Sequence, residues 1–509
     1  MSFFVVCISS LLIISISSYV FQLLADRRRR LPPGPTPLPF IGNLLDAGSE
    51  LPHRSLARLA GRHGPLMTVR LGTLVAVVAS SPSTAREVLQ THNGSLTGRS
   101  PPDAWLALGH AANSVFVLPP PGRRWRALRR IGTEHLLSAR QLDGSSRLRP
   151  LLRDAALDLV RRVSVMAAGA PVVEVGRASF AAMMDLQWRA MFSAGLGDDD
   201  GAAALALHGA AREAVALSLK PNVSDFFPAL AAADLQGVRR RFARRVAMVY
   251  QMIDEKVERR MRERRREAGG GNSGEKDLLD VMLDMSESEQ GKHDGVVSID
   301  RDVIRTFLTD IFLATVDTVS STIEWAMAEL LRHPDTMSKL QEELRGVLGS
   351  KAHVEYSDVD RLPYLRAVVR ETLRLHPVVP LVPNEAEETV VIHGHAVPKG
   401  CTVLVNLWAV HRDAGAWPEP DRFLLRPDQE AGFLGTTEFE FIPFSAGRRV
   451  CLGLQLATRM MVHAMLGSLL HRFEWSLPRE VKENGVDMSE SLGLTMTMAT
   501  PLQAIAKSV

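Results

Sequence analysis

The sequence predicts a mainly helical body with small β-sheets, preceded by a single N-terminal transmembrane helix. Three observations carry this. Leu151–Val165, Val238–Glu267 and Val303–Leu331 hold apolar residues at three- and four-residue spacing, the mark of helices with a buried face. Strand-like runs are few and short. Ser2 to Ala25 carries no charge and is long enough for the ~20 residues that cross a bilayer core.

Residues 1–26 therefore read as a membrane anchor. Arg27–Arg30 follow Asp26, and positive charge after an apolar segment stays on the cytosolic side. This predicts a single-pass protein of the endoplasmic reticulum membrane with its body in the cytosol. A cleaved signal peptide would need a basic region before the apolar stretch and small-residue cleavage signals after it; neither is present. Residues 27–43 form a basic, proline-rich hinge, since the prolines of Leu31–Pro39 hold the backbone extended. Residues 44–509 form the body of the protein.

Within that body, the valine-rich stretch Met67–Ser80, punctuated by glycine, predicts a hairpin. The arginine-dense runs Val238–Arg245 and Arg259–Glu267 read as solvated helix faces. Gly269–Lys276 reads as a surface loop. Short strands return at Thr389–Ile392 and Thr402–Val405. A formal net charge of +3 over 509 residues gives no clustered basic footprint and argues against nucleic acid as a partner. Three cysteines, Cys7, Cys401 and Cys451, make no disulfide framework and suit a reducing compartment.

The chemistry points to Cys451, in Pro443–Gly453 (PFSAGRRVCLG). No signature of a cysteine hydrolase surrounds it, and no second cysteine or histidine lies at zinc-ligand spacing. An axial thiolate to haem iron needs one cysteine, with backbone N–H groups and small residues around the sulfur. Gly447 and Gly453 permit a tight turn and close approach to a flat cofactor. Arg449 can pair with a propionate, and Phe444 can cover the sulfur. A buried structural cysteine is the bland alternative, and it leaves these spaced positions unexplained.

Phe444, Gly447, Arg449, Cys451 and Gly453 stand at the spacing of the haem-binding loop of the cytochrome P450 family, which this chain resembles along its length. The resemblance includes Trp125 and Arg129 in WRALRR, the ETLRLHP segment with Glu371 and Arg374, and STIEWAMAELLRHP. It implies the cytochrome P450 fold, haem b held by Cys451 as metal ligand, and electrons from NADPH through NADPH-cytochrome P450 reductase. Trp125 and Arg129, four apart on one helix face, are expected at a haem propionate. Glu371 and Arg374 are expected as a structural ion pair.

Asp317 and Thr318, in LATVDTVSS (Leu313–Ser321), are the catalytic candidates. A carboxylate and a hydroxyl inside an apolar helix can relay protons from solvent to the reacting oxygen. The sequence departs from the family pattern at four places. Thr315 replaces a glycine, and Val319 a threonine. Asn384, beside Glu385, stands where plant members often have a basic residue. Leu424–Asp428 replaces a segment whose arginine joins the Glu371/Arg374 pair, leaving Arg422 and Arg426 as candidates. A peroxide isomerase or dehydratase needing no reductase, and a haem-binding protein without turnover, are the alternatives these departures motivate.

Pro221–Arg241 and DMSESLGLTM resemble plant terpenoid hydroxylases of the geraniol 8-hydroxylase type. That implies a lipophilic substrate, a monoterpenol or diterpene. Ala104–Val117, Phe307–Ala314, Val378–Val382 and Leu492–Met498 are largely apolar and are the expected pocket walls.

Overall fold

Helices carry most of the chain because its apolar residues recur with helical period. In this computed structural model the longer ones are α1 (Pro52–His63), α2 (Arg123–His135), α3 (Leu148–Gly169), α4 (Val175–Phe192), α5 (Gly201–Ser218), α6 (Val238–Glu267), α7 (Leu278–Glu289), α8 (Arg301–Arg332), α9 (Pro334–Leu348), α10 (Pro363–Leu375) and α11 (Val462–Arg472). The structure describes residues 28–48, 51–120, 122–135, 148–196, 201–218, 220–267, 276–289, 299–427, 439–457 and 462–509, with residues 17, 19–21 and 24–26 before them.

Helix α8 is buried along nearly its whole length and packs on α4, α5, α6, α10 and α11. The Asp300 side chain accepts from Val303 N at 2.9 Å and caps its start. Pro334 opens the next helix at its end. The expected helices at Leu151–Val165, Val238–Glu267 and Val303–Leu331 are thus present as α3, α6 and α8, with α10 stopping before Pro377 as a proline requires.

The predicted hairpin is β1 (Leu66–Leu71) and β2 (Leu74–Ala79). Its turn needs Gly72: φ is +62°, and a β-carbon there would lie 2.6 Å from Phe226 O. The remaining strands are β3 (Val173–Glu174), β4 (Leu381–Glu385), β5 (Val390–Ile392), β6 (His395–Val397), β7 (Thr402–Asn406), β8 (Phe473–Ser476), β9 (Glu490–Leu492), β10 (Met496–Met498) and β11 (Gln503–Ser508). One sheet runs β1-β2-β7-β4, with β2 and β7 parallel; a second runs β3-β11-β8; β5 pairs β6 and β9 pairs β10.

Successive strand residues face opposite sides. Val77 and Ala79 join Val403, Ile442 and Ala446 in one apolar cluster, while Ala76 and Val78 join Leu56 and Met67 in another. The first cluster seats the chain just before Cys451 on the sheet. The largest core gathers α2, α3, α4, α6, α8 and α11 around residues such as Leu128, Met183 and Phe312.

Most of the predicted anchor and most of the Gly269–Lys276 loop lie outside the described residues. Among the described residues no helix is long and apolar enough to cross a membrane. The proline segment lies against the hairpin, with Thr68 N donating to Pro33 O at 2.9 Å and Arg70 N to Asn43 Oδ1 at 2.9 Å.

Candidate active site

The loop at Cys451 is built by short-range bonds. Cys451 N donates to Phe444 O at 3.1 Å, and Val450 N to Gly447 O at 3.1 Å. Gly447 has φ +74°, and a β-carbon there would fall 2.1 Å from Leu89 O. Gly447→Ala is therefore expected to cost about 3 kcal/mol from backbone strain and displacement of Leu89. A denaturant midpoint measured beside the parent protein checks this. Gly453 serves differently, since a β-carbon there would meet Cys451 Sγ only at an ordinary 3.8 Å. Its N–H, with that of Leu454, bonds the sulfur.

Burial pushes the Cys451 thiol up; the Gly453 and Leu454 N–H groups and the Arg129 charge oppose this in part. A thiol so placed keeps its proton until a cation replaces it, and the donors then stabilise the thiolate. Cys451 retains accessible surface, whereas Cys401 is buried with its thiol pushed up to about 12.

Three arginines meet beside this loop. Arg449 donates to Thr97 O, Phe116 O and Leu118 O at 2.6, 3.0 and 2.9 Å. Arg129 donates to Val450 O at 2.8 Å and covers the Trp125 ring at 5.1 Å. Arg99 reaches Phe116 O at 3.4 Å. Burial, then mutual repulsion, pulls Arg99 down to about 10 and Arg449 to about 9. Trp125 points its own N–H at Val115 O, at 3.1 Å. Sequence reasoning named Arg129, Arg449 and Trp125 but not Arg99, which no local motif marks.

A half-buried cluster of like charge is stable where an anion joins it. Together with the donor-ringed thiol it fits haem, whose iron Cys451 would ligate and whose two carboxylates Arg99, Arg129 and Arg449 would hold. Asn384 adds no charge to this cluster; its Oδ1 is buried without a hydrogen-bond partner. Glu385 turns to Ser100, whose hydroxyl donates to it at 2.5 Å.

Glu371 and Arg374 form a buried fork, with Nε and Nη2 of Arg374 each 2.8 Å from a carboxylate oxygen. Arg374 also donates to His411 O, Pro420 O and Arg422 O at 3.0, 2.6 and 2.9 Å. Leu424 N donates to Glu371 Oε1 at 2.8 Å. Neither candidate arginine adds its side chain. Arg422 pairs with Glu419, and Arg426 lies over Trp417 at 5.1 Å. The backbone of residues 420–424 takes the third place.

On α8 the structure parts the two catalytic candidates. Neighbours on a helix point about 100° apart. Thr318 is half-buried and donates to Ala314 O at 2.9 Å; Thr315, on the same face, donates to Ile311 O at 2.8 Å. Asp317 is buried and accepts a hydrogen bond from Thr495, on the β9–β10 turn. Burial pushes its carboxyl up to about 6, the Arg212 charge opposing in part. A β-carbon at Gly132 would lie 3.4 Å from Phe307 and 3.6 Å from Leu452, so α2 is held between α8 and the cysteine loop.

Residues 32–502 match the family model described as cytochrome P450. The chain is 40% identical over 496 residues to a geraniol 8-hydroxylase of Catharanthus roseus, covering 96% of each. It is 39% identical to a carnosic acid synthase of Rosmarinus officinalis over 502 residues, 95% of this chain and 96% of the relative. It is 38% identical to an 11-hydroxysugiol 20-monooxygenase of Salvia miltiorrhiza, covering 96% and 97%. A solved zebra fish cytochrome P450 structure with progesterone superposes with a TM-score of 0.74 at 25% identity, covering 90% of this chain and 99% of that one.

Proposed function

The chain belongs to the cytochrome P450 family, and from that premise we propose a haem-thiolate monooxygenase that hydroxylates a terpenoid with dioxygen and electrons relayed from NADPH by a reductase. The observation that carries this is the pairing of a donor-ringed thiol, Cys451, with three half-buried arginines whose charge desolvation and mutual repulsion disfavour. The names of relatives, among them a geraniol 8-hydroxylase and an 11-hydroxysugiol 20-monooxygenase, support a terpenoid substrate.

Bound at Cys451, haem supplies dioxygen activation and oxygen insertion into a C–H bond. The chain's residues do the rest. Gly453 and Leu454 N–H groups would stabilise the sulfur once its proton has left, and the arginines would hold the cofactor's carboxylates. Asp317, with a pKa near 6, holds or gives up a proton near neutrality, as a general acid requires. Thr318 and Thr315 line the neighbouring helix face with hydroxyls. Exposed Arg123, Arg126 and Arg130 on α2 and Arg448 make a basic surface suited to an acidic reductase. The apolar run Ser2–Ala25 and the arginines after it support attachment to the endoplasmic reticulum membrane, with the body in the cytosol.

The test is reconstitution of the holoprotein with a plant NADPH-cytochrome P450 reductase, followed by a panel of monoterpene alcohols and diterpenes. A product heavier by one oxygen atom, dependent on NADPH and reductase, is expected. Turnover without NADPH would replace the reading with isomerase chemistry. Cofactor binding with no product from any terpenoid would remove the substrate class.

A further inference from the structure

Two short antiparallel strands are not stable alone in water, yet the β9–β10 hairpin is held by four other parts of the chain. At its root, the Glu490 carboxylate accepts from Arg54 Nε at 2.7 Å and lies 3.0 Å from His53 Nε2, both on α1. Burial works against the charge, but these two partners prevail and hold Glu490 at about 2. At the tip, Leu494 N donates to Val215 O of α5 at 3.3 Å, and Met496 N to Val378 O at 2.8 Å. Trp325 of α8 donates its indole N–H to Met496 O at 3.2 Å. The residue so placed is Thr495, whose hydroxyl donates to Asp317.

We propose that Thr495 is the positioning residue of Asp317: it fixes the orientation of the carboxylate and its affinity for a proton, and the fastened hairpin delivers it. This rests on Asp317 as the proton-carrying acid. Among the described residues, Thr495 makes the one hydrogen bond to that carboxylate. Two other charged groups act on Asp317. Arg212 of α5 favours its ionised form but is exposed, so water screens it; Glu324, further along α8, is a buried acid whose own pKa Asp317 helps raise. A hydroxyl donor favours the carboxylate, so its removal should make Asp317 hold its proton to higher pH.

The experiment compares Thr495→Val, Thr495→Ser and Asp317→Asn in the holoenzyme. The carboxylic C=O infrared band lost in Asp317→Asn is titrated with pH, and product per NADPH is measured alongside. Thr495→Val should raise the band's midpoint by about one pH unit, the size of one lost hydrogen bond. It should also lower product per NADPH several-fold with the carbon monoxide band intact, and Thr495→Ser should restore both. If the valine variant loses the cofactor, Thr495→Ala should give the same shift. No band lost in Asp317→Asn, an unmoved midpoint, or a serine variant that behaves like valine overturns the proposal. A shifted midpoint with full product per NADPH in Asp317→Asn keeps Thr495 as the positioning residue and removes the proton-delivery reading instead.

Discussion

Cys451→Ser abolishes the strongly red-shifted Soret band of the reduced carbon monoxide complex, and product formation falls more than about 100-fold. Even outer partners of a metal ligand cost 10- to 100-fold when removed, and here the ligand itself changes. Serine keeps the shape, so the bonds from Cys451 N to Phe444 O and from Val450 N to Gly447 O are retained. The loss is electronic: a hydroxyl does not ionise to the strong donor that the Gly453 and Leu454 N–H groups are placed to stabilise. The absorbance spectrum of the variant in membranes, beside the parent, decides it. A retained thiolate-type band would exclude Cys451 as the ligand.

Arg374→Ala has the second-largest effect. It leaves the Glu371 carboxylate buried without its fork and strips donors from the carbonyls of His411, Pro420 and Arg422. Breaking a buried pair from one side costs about 3–5 kcal/mol, a large part of the 5–15 kcal/mol that holds a typical protein together. The expected result is a large fall in cofactor-loaded protein per unit of expressed chain. Arg374→Lys should not rescue it, because one ammonium cannot make a planar fork and three further bonds. Arg422→Ala and Arg426→Ala should each cost under about 1 kcal/mol, since the Arg422 side chain only meets Glu419 at the surface and Arg426 only stacks on Trp417. Loss of cofactor from the Arg422 variant would show that its guanidinium, not its carbonyl, is the member that counts.

These contrasts explain which parts of the site the sequence made legible. The cysteine loop could be read because its determinants lie within ten residues of one another, from Phe444 to Gly453. The long helices and the Gly72 hairpin were legible for the same local reason. Arg99 was not, because its role depends on folding next to Arg129 and Arg449. Leu424–Asp428 looks like a broken motif because sequence displays side chains, whereas Arg374 bonds the backbone carbonyls of Pro420 and Arg422 just before it. Adjacency also misleads on a helix: Asp317 and Thr318 read as one acid–alcohol pair, but they face different ways, and the hydroxyl that meets the acid comes from Thr495.

The arginine that holds the cysteine loop sets the order in which this protein can be made. Arg449 bonds Thr97, Phe116 and Leu118 across 352, 333 and 331 residues of chain. While the ribosome is still building the first four hundred residues, those three carbonyls and Arg99 have no loop to close on. Closure of so long a segment carries an entropic cost that local structure cannot offset beforehand. Until the loop is made, the apolar surface it covers stays unburied, and unburied apolar surface is what drives aggregation of larger chains during folding. Cofactor supplied after synthesis meets a finished pocket; cofactor supplied during synthesis has to wait for the last hundred residues.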